Sequence, residues 1–563
     1  MHPIKIITVG KSRILEQKAN EEGLSFAQMM ENAGRGAAHA IHRRLPVKDR
    51  WVVVLVGPGN NGGDGLVAAH ALWEMGARVT CYIWKRDGTG DVHLRRVEED
   101  GLPVLWAKDD TSYGALRRLV SAADVVVDAL LGVGVTRPIG GALQELLDIV
   151  RQAAGGASAL GGLAEAVPSG LGGSRPLVVA VDCPTGLDCD TGALDPFALP
   201  ADLTVTFGYP KAGLLRFPGA GAVGSLVVAD IGIPPRLADD VCLEMATSEL
   251  VRSWLPERPR SAHKGSFGRA LIVAGSVNYV GAAVLAGAAA TRVGTGLVTM
   301  ALPMPIQPAV AAHLTEATYM LLPHDLGVIA LGAVRVLREQ LADYECLLLG
   351  PGLTQEKETV AFVHALLGLE GIDRRGRMGF VVSSAAEEPK QTALPPLVVD
   401  ADALNALAKA DRWWRALAPE TILTPHPGEM ARLMGGEATV KEVQADREGV
   451  CSRMAQAWGA LVVLKGAFTV VAAPSGRVMV IPFANAGLAT AGSGDVLSGA
   501  IAGLRAQGIG AFEAAVAGAY AHGLAGELAR ADLGDMGMVA GDLPPRLPLA
   551  LRRIRQIGQW VAA

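Results

Sequence analysis

Two stretches of the chain put a carboxylate beside glycine-rich backbone. Residues 485–495 read Asn-Ala-Gly-Leu-Ala-Thr-Ala-Gly-Ser-Gly-Asp and run straight into an apolar helical pattern over 496–504. Small residues let backbone N–H groups converge on a phosphate at a helix N-terminus. Asp495 adds negative charge where charge is already crowded, so accepting a proton from a hydroxyl suits it better than holding phosphate. Capping the following helix is its alternative role. The second stretch is Gly57-Pro-Gly-Asn-Asn-Gly-Gly-Asp64-Gly65, directly after an apolar strand pattern at 52–56. It contains GxGxxG between a strand and a helix, the setting of a dinucleotide fingerprint. Yet Asn60, Asn61 and Asp64 crowd the turn, and the next strand ends in Trp84-Lys-Arg-Asp87, an ambiguous ribose-binding acid. The turn reads as a phosphate or polar-ligand loop with a carboxamide and a carboxylate built in.

Other strand ends carry polar groups. Asp128 opens Asp-Ala-Leu-Leu-Gly-Val-Gly134, and Asp182 opens Asp-Cys-Pro-Thr-Gly-Leu-Asp188. Ligands of open α/β sheets sit beyond the carboxyl ends of the strands, so these groups are expected to share one crevice with the Asn60–Asp64 turn. Asn61, Asp128 and Thr185 offer hard oxygen ligands for a cation. Asp182, entering a proline turn, is placed for proton transfer. The alternative is that each Asp caps its own turn. Later in the chain, Lys465 follows a strand and precedes a glycine turn, so it can bring a cation to a nucleotide phosphate. A surface lysine is the alternative. His426 lies between two prolines, fit for a substrate hydrogen bond or a structural turn. Asp402 and Asn405 read equally as substrate-positioning groups or helix caps.

The elements that must position these groups alternate. Strand patterns at 52–56, 79–84, 125–131 and 178–182, with a helix over 66–75, imply a parallel sheet covered by helices. The alternation breaks between 234 and 262, where proline-rich segments bracket a polar connector, and restarts with strands at 270–274, 347–349, 397–400, 421–423 and 462–464. The expected domains are therefore 1–244 and 245–563. Segments 155–173 and 383–394 look like surface insertions. At 563 residues the chain exceeds one ordinary core. A net charge of −5 and a pI near 6.2 argue against nucleic acid or an anionic membrane as main partner. No apolar run is long enough for a membrane span, and Met1-His-Pro-Ile-Lys-Ile has no signal pattern. The six cysteines are scattered, without CxxC spacing. A cytoplasmic protein with reduced thiols is expected.

Several motifs resemble known families. Residues 29–35 (Met-Met-Glu-Asn-Ala-Gly-Arg), the 60–65 loop, the 181–192 segment from Val-Asp-Cys-Pro-Thr-Gly to Asp-Thr-Gly, and Thr204-Val-Thr-Phe-Gly-Tyr-Pro-Lys-Ala-Gly213 are similar to NAD(P)H-hydrate epimerases, over roughly 5–240. The resemblance implies R-to-S interconversion of hydrated NADH and NADPH in a Rossmann-like three-layer domain. It also implies potassium on Asn61, Asp128 and Thr185, catalysis by Asp182, and substrate contacts from Asn60, Asn61, Gly62, Gly63 and Asp64. Further substrate contacts are implied for Gly132, Val133, Gly134, Val135, Thr136, Arg137, Pro138 and Asp182. Thr185 stands where the family usually has Ser, and Val133 where it usually has a hydroxyl.

His263-Lys-Gly-Ser-Phe-Gly268, Val399-Asp-Ala-Asp-Ala-Leu-Asn405, Leu423-Thr-Pro-His-Pro-Gly-Glu429 and Leu464-Lys-Gly-Ala-Phe-Thr469 resemble ADP- or ATP-dependent NAD(P)H-hydrate dehydratases, a branch of the ribokinase-like α/β fold. With the 485–495 loop they cover about 250–558. The resemblance implies Asp495 as catalytic base, and Ala282, Gly352, His426 and Asp495 on the hydrate. It implies Lys465, Gly466, Ala467, Phe468, Thr469, Gly492, Ser493 and Gly494 on the nucleotide. ADP with Mg2+ is the expected co-substrate rather than ATP, because the fused order is that of bacterial relatives. Gly350-Pro-Gly-Leu-Thr354 lacks the family's final Gly. The chain thus reads as a two-activity repair enzyme, expected to associate with copies of itself. The alternative is a ribokinase-like small-molecule kinase with an N-terminal ligand-binding or regulatory domain.

Overall fold

The computed structural model describes residues 3–134, 137–155, 162–163, 175–369 and 393–556. Most of both expected insertions, and Val135 and Thr136, lie outside the described residues. The chain divides into two compact units, one spanning Ile4–Glu244 and the other Met245 onward.

In the first unit the apolar runs become a parallel sheet. Its strands lie in the order Val104–Trp106, Arg78–Ile83, Trp51–Val56, Val125–Ala129, Leu177–Val181, Leu203–Phe207, Ser225–Ala229 and Gly162–Leu163. Strands buried on both faces need helices on both, and two apolar clusters flank the sheet accordingly. Chain order reverses between Trp51–Val56 and Val125–Ala129. Such a switch point opens a crevice at the strands' carboxyl ends, where Gly57–Gly65 and Leu130–Gly134 emerge.

One element departs from the sequence expectation. The expected 60–65 loop is helical, and the helix spans Asn60–Glu74 rather than starting at 66. Its glycines explain this. A methyl group at Gly65 would overlap the Ala129 side chain, and one at Gly62 would overlap the Gly57 carbonyl. Without side chains there, the first helical turns settle directly on the sheet.

The second unit is again α/β. Parallel strands follow one another in the order Thr318–Leu322, Leu297–Pro303, Arg269–Val273, Cys346–Leu349, Leu397–Val399, Ile422–Leu423 and Leu461–Leu464. Val470–Ala472 and Val478–Val480 continue the sheet antiparallel. The helices Val280–Arg292, Ser493–Ala506 and Ala511–Leu533 build one large apolar cluster against it. They come close because their contacts are small: a methyl at Gly499 would overlap the Ala286 carbonyl of the neighbouring helix. Among the described residues no helix is long and apolar enough to cross a membrane, and the cysteines are free.

Candidate active sites

In the first unit a cavity of about 590 Å³ opens at the switch point. Asn60, Asn61, Asp64, Gly132, Val133, Gly134 and Asp182 line it, together with Lys211 and Glu16. Gly62 and Gly63 lie inside the helix against Gly57, Arg86 and Met30, and Arg137 and Pro138 are exposed. None of these four is among the lining residues.

Asp182 follows the Leu177–Val181 strand with φ at 62°, a left-handed conformation that an Asp holds only when its surroundings fix it. One carboxylate oxygen accepts from Lys211 Nζ at 2.6 Å, Thr206 Oγ1 at 3.1 Å and the Phe207 amide at 3.2 Å. It therefore does not cap its own turn. Burial alone would pull the Lys211 ammonium down, but the Asp182 charge more than restores it, and its pKa lies above the usual lysine value. Asp64 is pushed well above the carboxylate range, by burial first and then by the charges of Asp182 and Glu16. The cavity thus holds one carboxylate tied to an ammonium and a second that favours its proton.

Asp128 is fully buried. It accepts from the Thr185 hydroxyl at 2.8 Å, the Thr185 amide at 2.9 Å and the Leu130 amide at 3.2 Å. Burial raises its pKa to about 6 against those hydrogen bonds. Thr185 Oγ1 also accepts from the Leu131 amide, and Asn61 packs on Gly132 of the same loop. The Asn61 side-chain nitrogen is buried without a partner among the described residues. Amide nitrogen and oxygen are exchanged by a simple flip, so this position can present a carbonyl oxygen.

In the second unit three neighbouring strand ends converge. Asp400, Thr424 and Lys465 follow the Leu397–Val399, Ile422–Leu423 and Leu461–Leu464 strands. Asp400 Oδ1 accepts from Thr424 Oγ1 and from Lys465 Nζ, both at 2.7 Å. Glu429 lies 3.6 Å from Lys465 Nζ. Lys465 is thus no surface lysine. A methyl group at Gly494 would stand 3.3 Å from its ammonium, which sits against the first turn of the Ser493–Ala506 helix.

Asp495 lies in that first turn, and the helix begins at Gly492 without a side-chain cap. The capping alternative for Asp495 is therefore not realised. Burial, then Asp400, Asp402 and Glu429, raise its pKa to about 7, with Lys465 opposing. The Ser493 hydroxyl is spent on the Leu488 and Thr490 carbonyls, at 2.9 Å and 3.0 Å. Phe468 holds φ at 51°, and Thr469 Oγ1 closes the turn onto the Gly466 carbonyl at 2.9 Å, leaving Ala467 exposed.

His426 caps the Pro427–Leu433 helix, its Nδ1 accepting from the Gly428 amide at 3.0 Å. Its Nε2 faces Glu429 at 3.5 Å in a half-exposed side chain, so one ring nitrogen caps the helix and the other does not. Burial and Lys465 lower its pKa. Ala282 and Gly352 are neighbours, since a methyl at Gly352 would stand 2.8 Å from the Ala282 side chain. Thr354 keeps a glycine-like φ of 78° and donates its amide to Asp402 at 2.9 Å. Asn405 accepts from Arg432 Nε at 2.8 Å, so Asp402 and Asn405 brace neighbouring segments rather than cap a helix. Lys211, Asp400 and Glu429 lie in the candidate sites, but sequence reasoning does not single them out. Each lies inside a motif, but its significance depends on partners far along the chain.

The chain is similar to known proteins over both halves. Residues 270–548 match the NAD(P)H-hydrate dehydratase family model, and residues 26–213 match that of the YjeF-related protein N-terminus. A bifunctional NAD(P)H-hydrate repair enzyme of Moorella thermoacetica is 38% identical over 99% of this chain and 98% of its own. The Escherichia coli enzyme of the same description is 32% identical over 94% and 90%.

The chain belongs to the bifunctional NAD(P)H-hydrate repair enzymes.

Membership supports the repair-enzyme reading over a ribokinase-like kinase with a regulatory domain. The dehydratase half also aligns with an ADP/ATP-dependent NAD(P)H-hydrate dehydratase from Bacillus subtilis, solved after co-crystallisation with ATP/Mg2+. That protein is 31% identical, with a TM-score of 0.44, over 55% of this chain and 98% of its own. In this repair enzyme the epimerase half carries the Asp182–Lys211 cavity, and the dehydratase half carries the Lys465–Asp495 site.

Proposed function

We propose that the first unit interconverts R- and S-hydrates of NADH and NADPH. The second unit then dehydrates the S form at the expense of MgADP, releasing AMP and phosphate. The observation that carries this is the pairing, in each unit, of one carboxyl group that favours its proton with a buried lysine tied to a second carboxylate. Such divergent environments mark acid and base roles.

Epimerisation must break and remake bonds at the ring carbon bearing the hydroxyl. Asp64, favouring its proton, serves as the acid toward the departing oxygen. Asp182, paired with Lys211, takes the proton of the water that returns on the other face. Asn61, Asp128 and Thr185 would hold potassium. Asp128 is a buried carboxylate on which no cationic side chain among the described residues acts, and the Asn61 amide has an unspent atom, so the residues fit a monovalent cation. Its positive charge would offset Asp128 and order the Leu130–Gly134 loop.

In the second unit Asp495 accepts the hydroxyl proton of the S-hydrate. The freed oxygen takes the terminal phosphoryl group of ADP, and AMP leaves. Lys465 and the backbone amides of 492–494 face the transferring charge. The phosphorylated oxygen then departs as phosphate while the adjacent ring carbon loses a proton, restoring the dihydropyridine. Asp400, Asp402 and Glu429 crowd negative charge around Asp495, with Lys465 opposing, which suits a nucleotide arriving with Mg2+. His426 Nε2, Ala282 and Gly352 border the hydrate.

The test is a mixture of R- and S-NADH hydrate given MgADP, or MgATP, with and without potassium, while reduced-nicotinamide absorbance is followed. Complete recovery of both forms, faster with ADP, is expected. Recovery of the S form alone overturns the epimerase, and no recovery under any condition overturns the dehydratase.

A further inference from the structure

Asp400 is fully buried, and its two oxygens are used unequally. Oδ1 takes both the Thr424 hydroxyl and the Lys465 ammonium, whereas Oδ2 is buried without a hydrogen-bond partner among the described residues. A buried carboxylate oxygen left without a partner costs stability, so an arrangement that keeps it is built for something other than stability. Three consecutive parallel strands deliver the trio. The backbone reinforces them: the Thr424 amide donates to the Val399 carbonyl and the Lys465 amide to the Pro425 carbonyl, at 3.1 Å and 2.9 Å. Lys465 is a long side chain with large rotamer freedom. Among the described residues only Asp400 hydrogen-bonds its ammonium, with Glu429 standing farther off. On its other side lies Gly494, where a side chain would crowd it.

We propose that Asp400 is a positioning residue of the dehydratase site, holding the Lys465 ammonium against the first turn of the Ser493–Ala506 helix where the phosphoryl group is transferred. The inference rests on the proposed dehydratase reaction. Asp400 acts through Lys465 and touches neither nucleotide nor hydrate. Thr424 fixes which oxygen faces the ammonium. Two signatures follow. Losing the carboxylate charge frees the ammonium during transfer but also removes an anion from a phosphate site, so turnover suffers while nucleotide binding does not. And without Lys465, Asp400 has nothing left to position.

The test compares Asp400→Asn, Lys465→Met and the double variant for S-hydrate dehydration, with MgADP binding measured by calorimetry. Asp400→Asn is expected to lower kcat about 100-fold, the scale of a misaligned charge in a transfer site, with MgADP affinity unchanged or tighter. In the Lys465→Met background the same change should cost less than about 3-fold, the non-additivity of groups acting as a unit. A full additional loss in that background, or loss of MgADP binding in Asp400→Asn, overturns the inference. Should Asp400→Asn fail to fold, Thr424→Val keeps the charge: a drop in kcat that vanishes with Lys465→Met supports the positioning role, and a drop that persists there overturns it. An unmodified enzyme inactive on S-hydrate with MgADP sinks the reaction itself. An active one with a fully active Asp400→Asn sinks only the positioning role.

Discussion

At the scale of single residues, both halves repeat one device: a lysine is paired with an aspartate, and a second carboxyl group nearby favours its proton. Replacing Asp182 by Asn removes the charge that Lys211 and the strained backbone hold in place. R-to-S conversion is expected to fall about 10²–10⁴-fold, the worth of a positioned general base, with dehydration of pure S-hydrate unaffected. Separate assays on the two purified epimers check this, and full epimerase activity in Asp182→Asn refutes it. Asp495 makes a prediction in pH. Its pKa near 7 leaves it protonated in acid, so kcat for dehydration should fall about tenfold per unit below that point; a flat profile from about pH 5.5 to pH 8 rules it out as the base. The same shift is a statement about stability. The folded chain keeps this proton to about 7 while the unfolded chain loses it near 3.8, the ordinary value for an aspartate. Between those limits folding binds a proton, so stability declines as pH rises through the window and is level above it. Asp495→Asn should therefore abolish dehydration yet gain about 2 kcal/mol at pH 8, after allowance for partial exposure. The gain should shrink toward pH 4. Thermal melts at the two pH values decide, and a variant less stable than its parent at pH 8 contradicts the electrostatic account.

At the scale of elements, the helix that carries Asp495 is positioned by what it lacks. Gly499 lies in the interior of Ser493–Ala506, and in an exposed helix Gly→Ala gains about 1 kcal/mol. Here the added methyl meets the Ala286 carbonyl. Overpacking of this kind costs about 1–3 kcal/mol, so Gly499→Ala is expected to destabilise and, by pushing the helix off Val280–Arg292, to displace Asp495 and lower kcat. A more stable, fully active variant shows that the close approach is not needed. The same elements show how far the sequence could be read. Apolar runs such as 52–56 and 462–464 lie within a residue of the observed strands, because strands buried on both faces leave a continuous apolar signature. The strand Leu297–Pro303 carries the same apolar run, although it is not among the expected strands, whereas Thr318–Leu322 is an edge strand with Leu321 exposed and leaves no such run. Asp495, Lys465, Asp182 and Asn61 stand out because each sits at a turn that local chemistry marks. Lys211 and Asp400 do not, because what makes them matter is a partner 29 or 65 residues away, brought near only by strand order.

At the scale of the whole chain, each unit carries its own apolar core, with residues 7–238 building those of the first and 246–554 that of the second. Each candidate site draws its residues from one unit alone. The two reactions are then coupled only by the S-hydrate, a small molecule free to diffuse. If so, damage to one site should be repaired by any second chain that keeps it. Asp182→Asn cannot deliver S-hydrate from the R form, and Asp495→Asn cannot consume it. Each alone should recover at most the S fraction of an epimer mixture, or nothing. Mixed as two separate full-length proteins, they should recover both epimers completely, at a rate set by the slower activity and rising with the concentration of either. Absorbance recovery measured across a range of mixing ratios tests this. A mixture that stalls at the S fraction, although each partner keeps its remaining activity, would mean the intermediate is passed within one chain, and the independence of the two sites would have to be given up.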